Sequence, residues 1–341
     1  MARIGIDCRF ASLSVGLGTY TRNIVKNLLE VSDDTFVLFV RSDDEEWLSD
    51  LSSKNYELRI TNYDHYSFAE QIHFPRSIKK SKVDLLYAPH FNVPYFCPVP
   101  FVATVHDLIL HRYPNHASFI KRLAYRIVIS RTVRKAKSLI AVSAFTMNEI
   151  KEMYGSLVAK KTVEITEGFD SSLQETDDPD VLSFYDLKPG YFLYVGTAKQ
   201  HKNVQMLIDA HAKACISTPL IVVTNGKEVE TLKTHGGVRV LLGIENDELA
   251  TLYSCAGCFV TASLYEGFCL PILEARACGC PVIASNTSAI PEVAGAHALL
   301  VDPTTDSLAG AFKNPPTLSD PPDKKYNWSQ SAAQLADILA S

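Results

Sequence analysis

The chain has no uninterrupted run of 18 or more apolar residues, so no segment of it reads as a transmembrane helix. It also lacks the pattern of a secretory leader. Arg3, Asp7 and Arg9 break up the apolar stretch at the start, where a signal needs an unbroken one. A cytoplasmic protein with free thiols is therefore expected. Neither sign of charge dominates: 33 Lys and Arg stand against 38 Asp and Glu, a net charge of −5, which excludes wholesale nucleic-acid binding. Two nucleotide signatures are also missing. Gly16-Leu-Gly18 has no third glycine and lies well past the first strand, and no GxxxxGK[ST] loop occurs, so neither NAD binding nor ATP or GTP hydrolysis is expected.

What is present is ordinary for a folded protein, with 47% hydrophobic and 21% charged residues. At roughly 150 residues per domain, 341 residues argue for two domains. The charge is uneven along the chain. Residues 1–170 hold 22 basic and 19 acidic side chains, and 171–341 hold 11 and 19. Eight cysteines include Cys255-x2-Cys258 and Cys278-x-Cys280, near the spacing of a zinc ribbon. Cys258 and Cys280, however, open apolar runs that read as strands, where cysteine is a small buried apolar residue, so no metal is expected.

Short runs rich in Val, Ile, Leu and Phe recur at 3–7, 36–40, 56–60, 83–87, 101–105, 139–142 and 162–165, and again at 191–195, 220–224, 238–242, 258–261, 282–285 and 298–301. Helix-length stretches such as 20–31, 144–154, 204–214 and 271–278 separate many of them. Apolar strands alternating with helices indicate parallel sheets covered on both faces. The expectation is an α/β protein of two Rossmann-like, doubly wound domains facing across a cleft, at 1–172 and 187–325. A polar, helix-poor linker at 171–190 falls between them, and a last helix over 326–341, capped by Asn327 and carrying Trp328, Ala332, Leu335 and Leu339 at helical spacing, docks on an existing domain.

In such sheets ligands sit at the carboxyl ends of strands. Glu266-Gly-Phe-Cys-Leu-Pro-Ile-Leu-Glu274 follows the 258–261 strand and opens a helix, with Pro271 expected at its first position. Amides and dipole at that end suit a diphosphate. Two carboxylates beside a phosphate need another task, and vicinal hydroxyls supply one: Glu274 can hold a ribose and Glu266 a hexose. The competing reading is that Glu274 simply favours its helix's first turn. Gly196-Thr197 through Lys202-Asn203 follows another strand, and Lys202 would place a cation where a leaving diphosphate needs it. In the first half, Gly16–Tyr20 precedes an amphipathic helix and His106-Asp107 follows the 101–105 strand. His90, His111 and His116 have no comparable placement, and Ser143 reads as a helix cap.

Glu-Gly-Phe-x-Leu-Pro-x-x-Glu at 266–274 resembles the signature of retaining glycosyltransferases of family 4. The likeness extends through Gly16–Tyr20, Glu70-Gln71, Thr104-Val-His106-Asp107, Val142-Ser143, Glu167-Gly168, Tyr194-Val-Gly196-Thr197, Lys202-Asn203 and Ala277-Cys-Gly279-x-Pro281-Val. The resemblance implies the GT-B fold, with a terminal helix that crosses back to the first domain. It implies Glu274 on the donor ribose and Glu266 on the hydroxyls of the transferred sugar. Gly267, Phe268, Cys269 and Leu270 would contact sugar and phosphate, while Gly196, Thr197 and Lys202 serve the diphosphate together with Gly16 and Gly18. His106 would line the sugar site and assist the transition state. The chain departs from the family's habit at His201, Thr197 and Cys269, which stand at positions often basic, often basic and often small.

The implied activity is that of a metal-independent hexosyltransferase with no cofactor. It would use a nucleotide sugar such as UDP-glucose or GDP-mannose and a glycan or lipid-linked acceptor in polysaccharide or glycolipid biosynthesis. A catalytically silent nucleotide-sugar-binding relative and a GT-B-like epimerase or phosphorylase are the alternatives. On the acceptor side, Ser118–Lys137 has seven basic residues and no acidic one, and its apolar and basic residues segregate between Phe119 and Val128, with Tyr125 the exception. Such a helix suits an anionic membrane surface, hence peripheral membrane association; the alternative is an ordinary sheet-covering helix.

Overall fold

Strands buried on both faces must be apolar along their whole length, and these runs form two parallel sheets. The computed structural model describes residues 2–13, 16–52, 55–114, 118–170 and 173–341, so His116 and the Ser171–Ser172 start of the expected linker lie outside the described residues. The chain divides into two units, Met1–Gly168 with Lys325–Ser341, and Phe169–Lys324.

The first unit carries β1 (Arg3–Asp7), α1 (Gly16–Val31), β2 (Thr35–Val40), β3 (Tyr56–Ile60), α2 (Phe68–Lys80), β4 (Leu85–Ala88) and β5 (Phe101–Val105). It continues with α3 (Ile109–Arg112), α4 (Phe119–Lys135), β6 (Ser138–Ala141), α5 (Ala144–Tyr154), α6 (Ser156–Ala159) and β7 (Thr162–Glu164). The second unit holds α7 (Pro179–Phe184), β8 (Phe192–Val195), α8 (Val204–Ala214), β9 (Leu220–Val223), β10 (Val238–Leu241) and α9 (Asn246–Ser254). Then come β11 (Cys258–Thr261), α10 (Leu270–Ala277), β12 (Val282–Ser285), α11 (Ile290–Val293), β13 (Leu299–Val301) and α12 (Thr305–Lys313). The last helix, α13 (Trp328–Ala340), belongs to the first unit.

Strand order is β3-β2-β1-β4-β5-β6-β7 in one sheet and β10-β9-β8-β11-β12-β13 in the other. Winding reverses beside β1 and beside β8, and the crevice at such a reversal is where doubly wound sheets hold ligands. Phe39, Phe74, Leu86, Ile129 and Leu139 help fill the first core; Leu207, Leu220, Val222, Val260 and Phe312 help fill the second. Cys258 and Cys280 are buried free thiols.

α13 is fastened to the first unit by side chains of both kinds. Asn327 caps it by accepting from the Gln330 amide, and Trp328, Ala332, Leu335 and Leu339 are buried. Ser331 Oγ donates to the Thr166 carbonyl at 2.7 Å, and the Trp328 ring meets Tyr20 edge-on at 5.6 Å. Gly168 has to be glycine here, since a Cβ would stand 2.5 Å from the Trp328 nitrogen.

Three expectations are corrected, and the faces of α4 are placed. Gly16 and Gly18 form the first turn of α1 rather than a loop before it; a Cβ on Gly18 would come within 1.9 Å of the Leu13 carbonyl oxygen, so glycine lets that turn sit on the preceding chain. The 171–190 stretch contains α7, because Asp178 caps the Asp180 amide and Pro179 occupies the first helical position. Pro271 is the second residue of α10, not the first. In α4 the sheet is covered by Tyr125, Ile129, Thr132 and Val133, while Phe119, Ile120, Leu123 and Ile127 are exposed on the opposite side.

At the carboxyl end of β1 lies a buried ion cluster. Arg9 is wholly enclosed; its Nε and Nη2 donate to the two Asp7 oxygens at 2.8 and 2.7 Å, and Nη2 also donates to Glu70 Oε1 at 2.8 Å. Asn92 Nδ2 and the Tyr66 amide complete the Glu70 carboxylate, and the guanidinium lies 3.9 Å over the Phe74 ring. The cluster thus ties together the segments that follow β1, β3 and β4. Removing its only guanidinium strands two carboxylates out of water. Arg9→Met is expected to lower unfolding stability by about 3–5 kcal/mol in urea titrations; a change within the error of the measurement would show that water reaches the cluster.

Candidate functional site

Because β8 and β11 are hydrogen-bonded neighbours at the reversal of the second sheet, the loops leaving their carboxyl ends must meet. Gly196 begins the first loop with φ of +149°, a conformation that favours glycine, and Tyr194 Oη pins the turn by donating to the Thr197 carbonyl at 2.8 Å. A 3-10 turn, Gln200–Lys202, then leads through left-handed Asn203 into α8. Two bonds join this loop to the one after β11: the Leu264 amide donates to the His201 carbonyl at 2.7 Å, and Asn203 Nδ2 donates to the Ala262 carbonyl at 3.2 Å.

The consequence is a direct ion pair between two of the expected site residues. Lys202 Nζ donates to Glu266 Oε1 at 2.6 Å and to Oε2 at 2.8 Å. The Glu266 backbone is held separately, its amide donating to Ser288 Oγ at 2.9 Å. Past Glu266, Gly267 and buried Phe268 lead to Cys269, which takes a left-handed conformation (φ +95°) at the start of α10. That conformation is costly for a residue with a Cβ and marks a loop held by its surroundings. Burial and then Glu266 push the Cys269 thiol well up, so it stays protonated and unreactive. Leu270 opens the helix, and Glu274 lies one turn inside, accepting from Tyr253 Oη at 2.9 Å. Tyr253 is fully buried, and burial together with Glu274 raises its pKa, which keeps the phenol a donor. Gly196, Thr197, Lys202, Gly267, Phe268, Cys269, Leu270, Glu266 and Glu274 thus share one sheet edge of the second unit.

The remaining expected residues belong to the first unit. Gly16 and Gly18 lie in the first turn of α1, and His106 directly follows β5. His106 Nε2 lies 2.8 Å from the Pro89 carbonyl and Nδ1 lies 3.2 Å from Glu167 Oε1. Both partners are acceptors, an arrangement that favours the doubly protonated ring. Burial works against that charge, but the Glu167 bond and charge, the Pro89 carbonyl and Asp107 outweigh it and raise the pKa. Tyr20 stands edge-on at 4.5 Å, and neighbouring His90, 6.3 Å away, is held neutral by burial. His90 does follow a strand end, because β4 runs to Ala88 rather than Tyr87.

Sequence reasoning assigned no role to Tyr253, Arg9, Glu70 or Glu167, although the last two stand in the family likeness. For Glu167 a signal existed, since it lies just past β7 at the same sheet end as His106.

A group whose pKa is raised on folding adds stability below its unfolded value, about 6.5 for histidine, and loses that contribution as pH rises through the folded value. Histidine-selective NMR titration is expected to place His106 above 6.5 and to move it down in Glu167→Gln. An unshifted His106 in that variant would remove Glu167 as the cause.

Known proteins resemble this chain in both halves. Residues 15–173 match the model for Glycosyltransferase Family 4, and residues 182–334 match that for Glycosyl transferases group 1. O-antigen chain mannosyltransferase B of Escherichia coli is 31% identical over 244 residues, 67% of this chain and 63% of that protein. O-antigen chain mannosyltransferase RfbU of Salmonella typhimurium is 30% identical over 234 residues, 66% of this chain and 63% of that protein. The chain thus aligns with less than two thirds of the length of these relatives. Among solved structures, sucrose-phosphate synthase from Thermosynechococcus elongatus superposes with a TM-score of 0.79 at 19% identity, covering 100% of this chain and 98% of that one. Anabaena HepE in complex with UDP and glucose gives 0.71 at 18%, covering 100% and 97%. The fold is GT-B. With one half of the sequence matching each of the two models in order, the chain belongs to glycosyltransferase family 4, its second half being a group 1 glycosyl transferase module.

Proposed function

We propose that this chain is a retaining hexosyltransferase that moves a sugar from a UDP- or GDP-linked donor to a glycan or lipid-linked acceptor in polysaccharide or glycolipid assembly. Mannose is the favoured sugar, on the names of the two O-antigen relatives. The observation that carries the reading is the meeting of the loops after β8 and β11, with Lys202 on Glu266 and Glu274 one helical turn on. Glu274, already oriented by Tyr253, accepts from the ribose diol, and Glu266 accepts from hydroxyls of the transferred hexose. Amides of Gly196, Thr197 and Gly267 to Leu270 serve phosphate and sugar. First-unit residues assigned to the donor are Gly16, Gly18 and His106, whose ring is oriented by Glu167 and the Pro89 carbonyl.

In the transfer, the bond between the anomeric carbon and the β-phosphate oxygen breaks. The acceptor oxygen bonds to that carbon on the same face, and its proton passes to the departing phosphate. Lys202 stabilises the charge that develops there, without a metal. No acid–nucleophile carboxylate pair is needed, in contrast to glycosidases.

The exposed side of α4 supports a membrane partner. Phe119, Ile120, Leu123 and Ile127 face away from the sheet, beside Lys121, Arg122 and Arg126. Pro114, Phe119, Arg122, Leu123 and Arg126 line a recess of about 220 Å³ next to them. Apolar insertion flanked by basic groups, each worth about 1 kcal/mol at an anionic surface, suits a lipid-linked acceptor delivered from a bilayer. Among the described residues no helix is long and apolar enough to cross a membrane.

A thermal-shift screen of UDP, GDP and ADP sugars should find one stabilising donor, followed by product analysis with and without acceptor. Glu274→Ala is expected to weaken donor binding about tenfold or more, and Glu266→Ala to cut kcat by at least as much. Unchanged kinetics in both would remove the assignment. Donor binding with no transfer would favour the catalytically silent reading, and an isomerised free donor the epimerase. Co-sedimentation should show binding to vesicles containing phosphatidylglycerol but not to pure phosphatidylcholine, and Leu123→Glu should abolish it; indifference to anionic lipid would end the membrane proposal.

A further inference from the structure

In this structure Lys202 and Glu266 occupy each other, with both carboxylate oxygens within 2.8 Å of Nζ. The Glu266 side chain is 10% exposed and that of Lys202 is 22% exposed. A carboxylate so far out of water is costly to leave alone. Any ligand that draws Lys202 away must therefore give Glu266 something else to bond.

Two ligands of this site differ in that respect. A bare nucleoside diphosphate offers oxygens to Lys202, but those oxygens are anionic acceptors and repel the carboxylate. A nucleoside diphosphate sugar offers the same oxygens to Lys202 and, beyond them, hydroxyl donors to Glu266. The nearest side chains bring no second cation in the first case: Tyr194 Oη already donates to the Thr197 carbonyl at 2.8 Å, and the Cys269 thiol is uncharged. Ser288 bonds the Glu266 backbone amide.

We infer that the Lys202–Glu266 pair is a selector for the intact donor over the nucleotide left after transfer, with Glu266 as the specificity-determining residue. The inference rests on the assignment of the diphosphate to Lys202 made above. Binding of the donor exchanges one satisfied pair for two, whereas binding of the spent nucleotide breaks a pair and satisfies only half of it. After transfer, Glu266 recaptures Lys202 as the hydroxyls leave, which speeds release of the product.

Isothermal titration calorimetry with the donor found in the screen and with its bare nucleoside diphosphate tests this. The wild-type protein is expected to bind the donor more tightly. In Glu266→Gln, which keeps shape but removes the competing charge, the bare diphosphate should bind about tenfold more tightly than in wild type, and the preference for donor should collapse. Glu266→Ala provides the same reading should the Gln variant fold poorly. Lys202→Ala should weaken both ligands. If Lys202→Ala weakens both but neither Glu266 variant tightens the bare diphosphate, the selector is wrong while the site assignment stands. If Lys202→Ala leaves diphosphate affinity unchanged, the assignment itself is overturned, and the selector with it.

Discussion

Charge withdrawn from water has to be compensated where it sits, and much of what happens at the carboxyl ends of both sheets follows from that requirement. Asp7 and Glu70 close on Arg9, Glu167 on His106, and Glu266 on Lys202. The pairs differ in how far they are enclosed. Arg9 is sealed and bound to two carboxylates, so it is part of the frame. His106 is oriented by acceptors at both nitrogens, which raise its pKa against the cost of burial. Lys202 alone of the three basic side chains remains over a fifth exposed, and a pair that solvent and ligand can reach is one that can exchange.

The same local rule resolves an awkward feature of composition. Residues 171–341 carry more acid than base, yet they contain the loops assigned to an anionic donor. The field of the whole unit would repel such a ligand, and screening beyond roughly 8–10 Å makes that field the weaker voice. On the assignment proposed above, the groups that count are local: Lys202 and the backbone amides of two loops brought together by adjacent parallel strands.

Much of the fold was legible in the sequence because most of its central strands are covered on both faces, which leaves runs of Val, Ile and Leu that read as strands. The strand-end rule then located Lys202, Glu266 and Glu274 on one edge. It could not supply partners distant in sequence: Arg9 and Glu70 are 61 residues apart, as are His106 and Glu167. Asp178-Pro179 held a helix start that its surrounding polar residues disguised. Glycines at 16 and 18 argued against helix by propensity, yet at Gly18 the missing side chain is what lets α1 begin against Leu13. In α4, periodicity defined an apolar side but not its direction, and Tyr125, the apparent exception, turned out to mark the buried face.

α13 makes the first unit discontinuous, since Lys325–Ser341 packs with Met1–Gly168 while everything between belongs to the other unit. Synthesis on the ribosome proceeds from one end, so the second unit can complete its core first, although it begins later. The first unit has its sheet early but must wait for Trp328 to seal Tyr20 and Gly168. Closure of the first unit therefore depends on a helix that follows the whole of the second unit in the chain.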